Sequence, residues 1–146
     1  MTRIFADDLE PGTTIQLGTH VVTREEIVAF ATQWDPQGFH VDEEIAAAGA
    51  FGGLIASGIH SMAIFQRLAV DGAFGNWAVI AGRSINDVQL TSPVRPDMEL
   101  TGRIRINAVE PKGPGRALVH KTCSLLAGDT PVLTFEGSVF VRTRDA

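Results

Sequence analysis

The sequence has few of the features that mark secreted, membrane-spanning or nucleic-acid-binding proteins. It contains one cysteine, Cys123, so no disulfide can form within the chain, and we expect a small buried residue in a reducing compartment. No window approaches the roughly 18 apolar residues of a membrane span, and the N-terminus lacks the pattern of a signal peptide. The twelve Lys and Arg residues are scattered and the net charge is -5, so no basic face is available for nucleic acid. We expect a cytoplasmic protein with neither a membrane nor a nucleic-acid partner.

Several common catalytic and binding motifs are also missing. The four histidines and the cysteine show no HxxxH or CxxC spacing, so no metal site is expected. A GxSxG nucleophile elbow is absent, because Ser57 follows Ile55 at the position where that motif has glycine. The glycines of AGAFGGL match neither a Walker loop nor GxGxxG. With 146 residues and no repeat, the chain is expected to form a single domain over residues 1–146.

The first predicted helix lies in TREEIVAFATQW. Thr23 and Glu26 form a capping box at its start, and apolar residues recur at helical spacing. The predicted buried stripe consists of Ile27, Phe30, Ala31 and Trp34. We expect the helix to end at Trp34 or Asp35, because Pro36 disfavours helical backbone in the residue before it.

Two further helices are predicted. Asp42 is a candidate N-cap for a short helix, since acidic residues occupy the first turn that follows it. Ser57 is a candidate N-cap for a longer one, GIHSMAIFQRLAVDGAF. This longer helix is apolar around most of its circumference, so we expect it to be covered on most sides.

The remaining segments are rich in β-branched and apolar residues and are separated by turn signals. A first strand is predicted in TTIQLGTHVV, and four more in WAVIAGRSINDVQLTSPV, ELTGRIRINAVE, ALVHKTCSLLAG and VLTFEGSVFVRT. We expect the last four to be joined by hairpins or short loops. The predicted fold class is α+β, with a curled antiparallel sheet of about five strands around one long helix.

The linker DPQGFH places a carboxylate and an imidazole five positions apart, at Asp35 and His40. Such a pair can hold a water and transfer its proton. Pro36 stiffens the linker, and Gly38 is expected to allow a sharp bend. Gly58 follows the cap of the long helix, where a free backbone N–H can stabilise a developing oxyanion. On residue types alone, an alternative remains in which the aspartate forms a turn and the histidine is solvated.

The order Asp35, His40 and then Gly58 in GLIASGIH resembles the MaoC-like, (R)-specific enoyl-CoA hydratase family of the hotdog fold. In that family the loop reads Asp-x-Asn-Pro-apolar-His and is followed by a His-Gly turn that opens the central helix. Here Gln37 and Gly38 stand in place of Asn-Pro. Ser57 replaces the histidine, and Gln66 lies where some hydratases carry a serine.

The resemblance implies reversible hydration of a trans-2-enoyl thioester, with Asp35, His40 and Gly58 as the catalytic residues. The aspartate and the histidine would hold the water, and the Gly58 N–H would bind the thioester oxygen. No metal or redox cofactor is implied, since the coenzyme A or carrier arm is part of the substrate. The family also implies a homodimer.

Two other functions stay open. A hotdog thioesterase would share the fold, but it usually carries its carboxylate on the central helix, where this chain offers only Asp71. A non-catalytic acyl-thioester-binding subunit would be consistent with the altered residues Gln37, Gly38 and Gln66. The sequence leaves the acyl chain length and the carrier undetermined.

Overall fold

A computed structural model describes residues 2–145 of the chain. It contains five strands, β1 (Thr14–Val21), β2 (Val79–Gln89), β3 (Glu99–Pro111), β4 (Arg116–Ala127) and β5 (Thr130–Arg142). Four α-helices precede β2, namely α1 (Arg24–Trp34), α2 (Gly38–Val41), α3 (Glu43–Ala48) and α4 (Gly58–Ala69). A 3-10 turn lies at Ala6–Asp8, and α4 continues as a π-helical segment over Val70–Phe74. The α+β class and the five strands confirm the predictions.

The strands form one antiparallel sheet in the order β1-β3-β4-β5-β2. Successive hairpins join β3, β4 and β5, as predicted, but β2 and β3 are not neighbours. β2 pairs with β5, so residues 90–98 carry the chain from the edge strand β2 across the sheet to β3, which lies between β1 and β4. The expected hairpin or short loop between β2 and β3 was therefore wrong, and the crossing segment forms a wall of the candidate site.

The long helix packs on the curled face of the sheet, which gives the hotdog architecture. Side chains at alternate positions of β4 and β5 point toward α4, as the period of a strand requires. Phe65 of α4 is 1% exposed and meets the ring of Phe135 edge-on, with centroids 5.1 Å apart. Cys123 is fully buried in this core and is a free thiol, as predicted.

Coverage of α4 is less complete than its composition predicts. Ile59 is 63% exposed and Val70 is 41% exposed. The neighbouring edge strand β2 also shows large apolar side chains to solvent, including Ile85 at 62%. A single curled sheet covers one side of a helix, so the expectation that one chain covers α4 on most sides was wrong.

Local predictions for the other helices hold with two corrections. The capping box of α1 is present, and α1 ends at Trp34, although this tryptophan is 66% exposed because the last turn of α1 extends beyond the buried surface. Asp42 caps α3 by accepting from two backbone N–H groups. The predicted linker contains the short helix α2, and Gly38 opens it without a positive φ. A Cβ at Gly38 would lie 2.7 Å from Cγ2 of Ile45, so close packing against α3, rather than a sharp bend, requires glycine.

Within residues 2–145, no helix combines the length and the apolar character needed to span a bilayer.

Candidate active site

Asp35 lies at the C-terminal end of α1, where the helix gives way to Pro36. Its backbone N–H donates to the carbonyl of Ala31 at 2.7 Å, which holds the residue against the last turn. Its extended φ of −156° directs the chain away from the helix axis. The end of α1 therefore fixes the position of the carboxylate.

The Asp35 carboxylate accepts two side-chain hydrogen bonds. The hydroxyl of Ser57 donates to Oδ2 at 2.7 Å, and the amide of Gln37 donates to Oδ1 at 2.8 Å. The bond from Ser57, followed by that from Gln37, lowers the pKa of Asp35 below its ordinary value, because both favour the charged form. Asp35 is therefore ionised at neutral pH.

His40 is 4% exposed and belongs to α2, so it is not the solvated ring of the alternative interpretation. Its Nδ1 lies 2.6 Å from the carbonyl oxygen of Ile55. A carbonyl only accepts, so Nδ1 carries a proton, and Nε2 is the ring nitrogen left to act on a second molecule. Nε2 is 3.4 Å from Oδ2 of Asp35, a separation at which one water can contact both atoms.

Gly58 is the first residue of α4, and its N–H has no intrahelical acceptor by helix geometry. A Cβ at this position would lie 2.3 Å from Cδ1 of Leu90. The space beside the Gly58 Cα is thus occupied by Leu90, from the segment that joins β2 to β3. A Cβ here would make the exposed side chain of Leu90 move, a contact that the sequence pattern did not indicate.

Asp35, His40 and Gly58 line one cavity of about 740 Å³. Its walls are mainly apolar and come from the linker, α4 and the segment after β2. The structure therefore brings together the three residues that the sequence singled out. Their catalytic roles stay predictions.

Two residues outside the predicted set shape this site. Ser57 is fully buried, and its Oγ both donates to Asp35 and accepts from the N–H of Ile59. The sequence indicated its capping role but not its contact with a residue 22 positions earlier. The backbone carbonyl of Ile55 that orients His40 could not be identified from the sequence, because every residue has a backbone carbonyl. Gln66, one of the departures from the family pattern, lines a second cavity instead of this one.

A second titratable cluster lies outside the cavity. Glu26 Oε2 is 2.9 Å from Nε2 of His20 and 3.2 Å from Nε2 of His60. Burial lowers the pKa of His60, although the Glu26 carboxylate opposes this effect. Among residues 2–145, no set of three or more His, Cys, Asp or Glu side chains is arranged as metal ligands.

Comparisons with known proteins agree with this architecture. The MaoC like domain matches residues 8–126 of the chain. An uncharacterized protein of Bacillus subtilis strain 168, YdeM, is 37% identical over 106 residues, which are 73% of this chain and 75% of that protein. The MaoC-like dehydratase of Rhodospirillum rubrum is 35% identical, with a TM-score of 0.89 over 97% of this chain and 98% of that one. The R-hydratase PhaJ1 of Pseudomonas aeruginosa, 21% identical, shares the fold with a TM-score of 0.77 over 99% of this chain and 89% of that one.

The architecture and the cavity place the protein among hotdog-fold proteins with an Asp/His pair beside the central helix. Within that class, the chain belongs to the MaoC-like domain family. This confirms the resemblance drawn from the spacing of Asp35, His40 and Gly58.

Proposed function

We propose that the protein catalyses the reversible hydration of a trans-2-enoyl thioester to a 3-hydroxyacyl thioester. The observation that carries the proposal is the 3.4 Å separation of Asp35 Oδ2 and His40 Nε2 on the cavity that Gly58 also lines. The coenzyme A or carrier arm belongs to the substrate. No separate cofactor is part of the proposed reaction.

In the proposed mechanism Asp35 and His40 hold one water between them. The water oxygen bonds to the β-carbon as its proton is taken up by the pair, and the pair returns a proton to the α-carbon on the same face. The π electrons of the double bond shift toward the carbonyl, so the thioester oxygen gains enolate character. The N–H of Gly58 donates to that oxygen, and a donor of this kind is typically worth ~3 kcal/mol in the transition state.

The test is loss of the conjugated enoyl absorbance when purified protein is mixed with crotonyl-CoA. We expect wild-type protein to consume the substrate and to form 3-hydroxybutyryl-CoA. Asp35→Asn should reduce kcat by about a hundredfold or more, because proton transfer by a positioned side chain contributes at least that much. An unchanged absorbance with wild-type protein across several acyl chain lengths would contradict the proposal.

Asp71→Asn provides a matched control and also tests the thioesterase alternative. Asp71 follows α4, is exposed, and pairs with Arg67 at 2.9 Å. It lies on neither cavity. A hydratase should keep its activity in this variant, whereas a thioesterase that used this carboxylate would release free coenzyme A and lose that activity on substitution.

A non-catalytic acyl-thioester-binding subunit is the second candidate. Both oxygens of Asp35 already accept hydrogen bonds, from Gln37 and Ser57, and the lowered pKa makes this carboxylate a weaker proton acceptor. Tight binding of crotonyl-CoA without turnover, together with turnover after a second protein is added, would select this candidate.

We propose that the functional unit is a homodimer formed through β2 and the open face of α4. β2 is an edge strand that pairs only with β5 within residues 2–145, and exposed edges of this kind favour pairing with another chain. Ile59 and Ile85 are both exposed and line the same cavity, so they contribute to one apolar surface. Light scattering should give twice the chain mass for wild type and one chain mass for Ile85→Asp. A wild-type monomer at micromolar concentration would contradict the dimer.

A further inference from the structure

A second cavity lies between α4 and the β2–β5 edge of the sheet. Its volume is about 670 Å³, and its walls are largely apolar. Ile59 and Met62 line both this cavity and the one that holds Asp35, His40 and Gly58. The two cavities therefore adjoin along one side of α4.

The second cavity contains a buried lysine, one of only two lysines in the sequence. Lys121 of β4 is 7% exposed because its position in the strand points inward, between Val119 and Cys123. Its Nζ donates to Sγ of Cys123 at 3.4 Å, and it lies 5.2 Å from the ring centroid of Phe74 and 5.7 Å from that of Phe135. None of the ion pairs within residues 2–145 involves Lys121.

Small polar residues line the cavity beside this ammonium group. Gly137 leaves room for it, since a Cβ there would lie 3.0 Å from Nζ of Lys121. Ser138 is buried, and its hydroxyl is 2.6 Å from that of Ser84. Both serines line the cavity, so a cation and two hydroxyl groups occur together in apolar surroundings.

Among residues 2–145, no Asp or Glu side chain lines the cavity that holds Lys121. Burial raises the pKa of the Cys123 thiol, so this neighbour is neutral near pH 7 even though the lysine opposes the shift. Removing an ammonium group from water without a counter-charge is costly, and aromatic rings compensate only in part. A carboxylate in the cavity would supply the missing charge and form a charge-assisted hydrogen bond.

We propose that Lys121 binds a carboxylate at the far end of the acyl chain, so that the preferred substrates are enoyl thioesters of dicarboxylic acids. This inference rests on the proposed function, because it assumes that the thioester end occupies the first cavity. It also takes the proposed homodimer, whose face includes Ile59 and Ile85, to close the second cavity without filling it. Gly58 lines the first cavity and Gln66 lines the second. The two residues are separated by about 12 Å along the axis of α4. A chain that spans this distance has roughly ten carbons at ordinary carbon–carbon bond lengths.

The experiment compares trans-2-enoyl-CoA substrates in pairs of equal length, from six to about twelve carbons. One member of each pair ends in a methyl group and the other in a carboxylate. We expect kcat/KM to be at least about tenfold higher for the carboxylate member at the best length, as for a buried charge-assisted contact. Equal values at every length, or a preference for the methyl member, would overturn the inference.

Two matched variants test the assignment to Lys121. Lys121→Met keeps the length of the side chain and removes its charge, and it should lower the ratio of the two kcat/KM values about tenfold. Lys112→Met makes the same change in the exposed turn between β3 and β4 and should leave the ratio unchanged. A carboxylate preference that survives Lys121→Met would also overturn the assignment. If that variant fails to fold, the comparison of paired substrates on wild-type protein decides.

Failure of this inference is distinguishable from failure of the proposed function. Crotonyl-CoA ends in a methyl group, so its hydration does not depend on a contact between Lys121 and a carboxylate. Saturated acyl-CoA pairs cannot be hydrated, and calorimetry with them measures binding without turnover. Hydration of crotonyl-CoA with equal binding of the saturated pairs would overturn only the inference. Tighter binding of the carboxylate member without any hydration would support a Lys121 contact and contradict the enzyme.

Discussion

Replacement of Ser57 by alanine should have two separable effects, because its hydroxyl makes two contacts. The Oγ accepts from the N–H of Ile59 at 3.2 Å and so caps α4. The same oxygen donates to Oδ2 of Asp35 at 2.7 Å. Ser57→Ala removes both contacts and changes little else, since the side chain is small and fully buried.

The stability effect follows from the lost cap. Replacing a serine N-cap by alanine costs about 1 kcal/mol. For a domain of this size, that loss corresponds to a fall of roughly 3 to 4 °C in Tm. Thr23→Ala is a matched control, because Thr23 caps α1 by accepting from the N–H of Glu26 at 3.2 Å and does not contact Asp35. In a calorimetric scan Thr23→Ala should lose about this much stability, and Ser57→Ala should lose more, because it also removes the bond to the Asp35 carboxylate.

The activity effect should appear in Ser57→Ala alone. The bond from Ser57 is the largest cause of the lowered pKa of Asp35, so its loss raises that pKa toward the ordinary value of 3.8. The proposed reaction needs the ionised carboxylate, and a raised pKa means that the carboxylate is protonated at a higher pH. On acidification, kcat/KM of Ser57→Ala should therefore fall at a higher pH than in wild type.

The assay is crotonyl-CoA hydration from neutral pH downward, over the range in which each variant stays folded. The acidic limb of the kcat/KM-versus-pH profile should shift to higher pH in Ser57→Ala and stay at the wild-type pH in Thr23→Ala. If Ser57→Ala loses stability but its acidic limb coincides with that of wild type, the hydroxyl does not tune Asp35 and the reasoning is refuted. The stability prediction does not depend on the proposed activity.

Three further predictions concern packing and titration. Gly38→Ala should destabilise the fold by about 1 kcal/mol, since its Cβ would meet the stiff side chain of Ile45 at 2.7 Å, and in an Ile45→Ala background the cost in urea unfolding should largely disappear. Burial holds the pKa of His60 below 6.5, so the unfolded chain binds more protons at this residue and the free energy of unfolding falls as the pH drops through that value. His60→Gln should make the free energy of unfolding depend less steeply on pH between pH 7 and about 5. An equally steep dependence in the variant would show that other groups, such as Glu26, cause it. Iodoacetamide should alkylate Cys123 only in unfolded protein, because burial raises the pKa of the thiol and shields it, so rapid labelling of native protein would contradict this.

Helices α1, α3 and α4 were predictable because their signals are local, whereas α2 lies in the predicted linker. Thr23, Asp42 and Ser57 cap helices within three residues of themselves, and Pro36 stops α1 at the residue before it. Interactions over such short separations depend little on the rest of the fold. Strand alternation is likewise local, so the five strands were found from the sequence.

The candidate site was predictable only in part. The spacing of Asp35, His40 and Gly58 identified the family, which supplied their expected roles. The surrounding contacts carry no sequence signal, since Ser57 reaches Asp35 across 22 positions and the Ile55 carbonyl reaches His40 across 15. Such contacts arise only when α1, α2 and α4 are brought together.

The sequence by itself determined where α1, α3, α4 and the five strands lie, that the core forms around one apolar helix, and which three residues to examine. Tertiary structure alone decided the pairing of β2 with β5, the course of residues 90–98 over the site, and the inward placement of Lys121. Alternation in a strand assigns residues to two faces but does not state which face meets the helix or which strand lies beside it. Those choices depend on contacts between distant segments, and so does the placement of the Lys121 ammonium group in the second cavity.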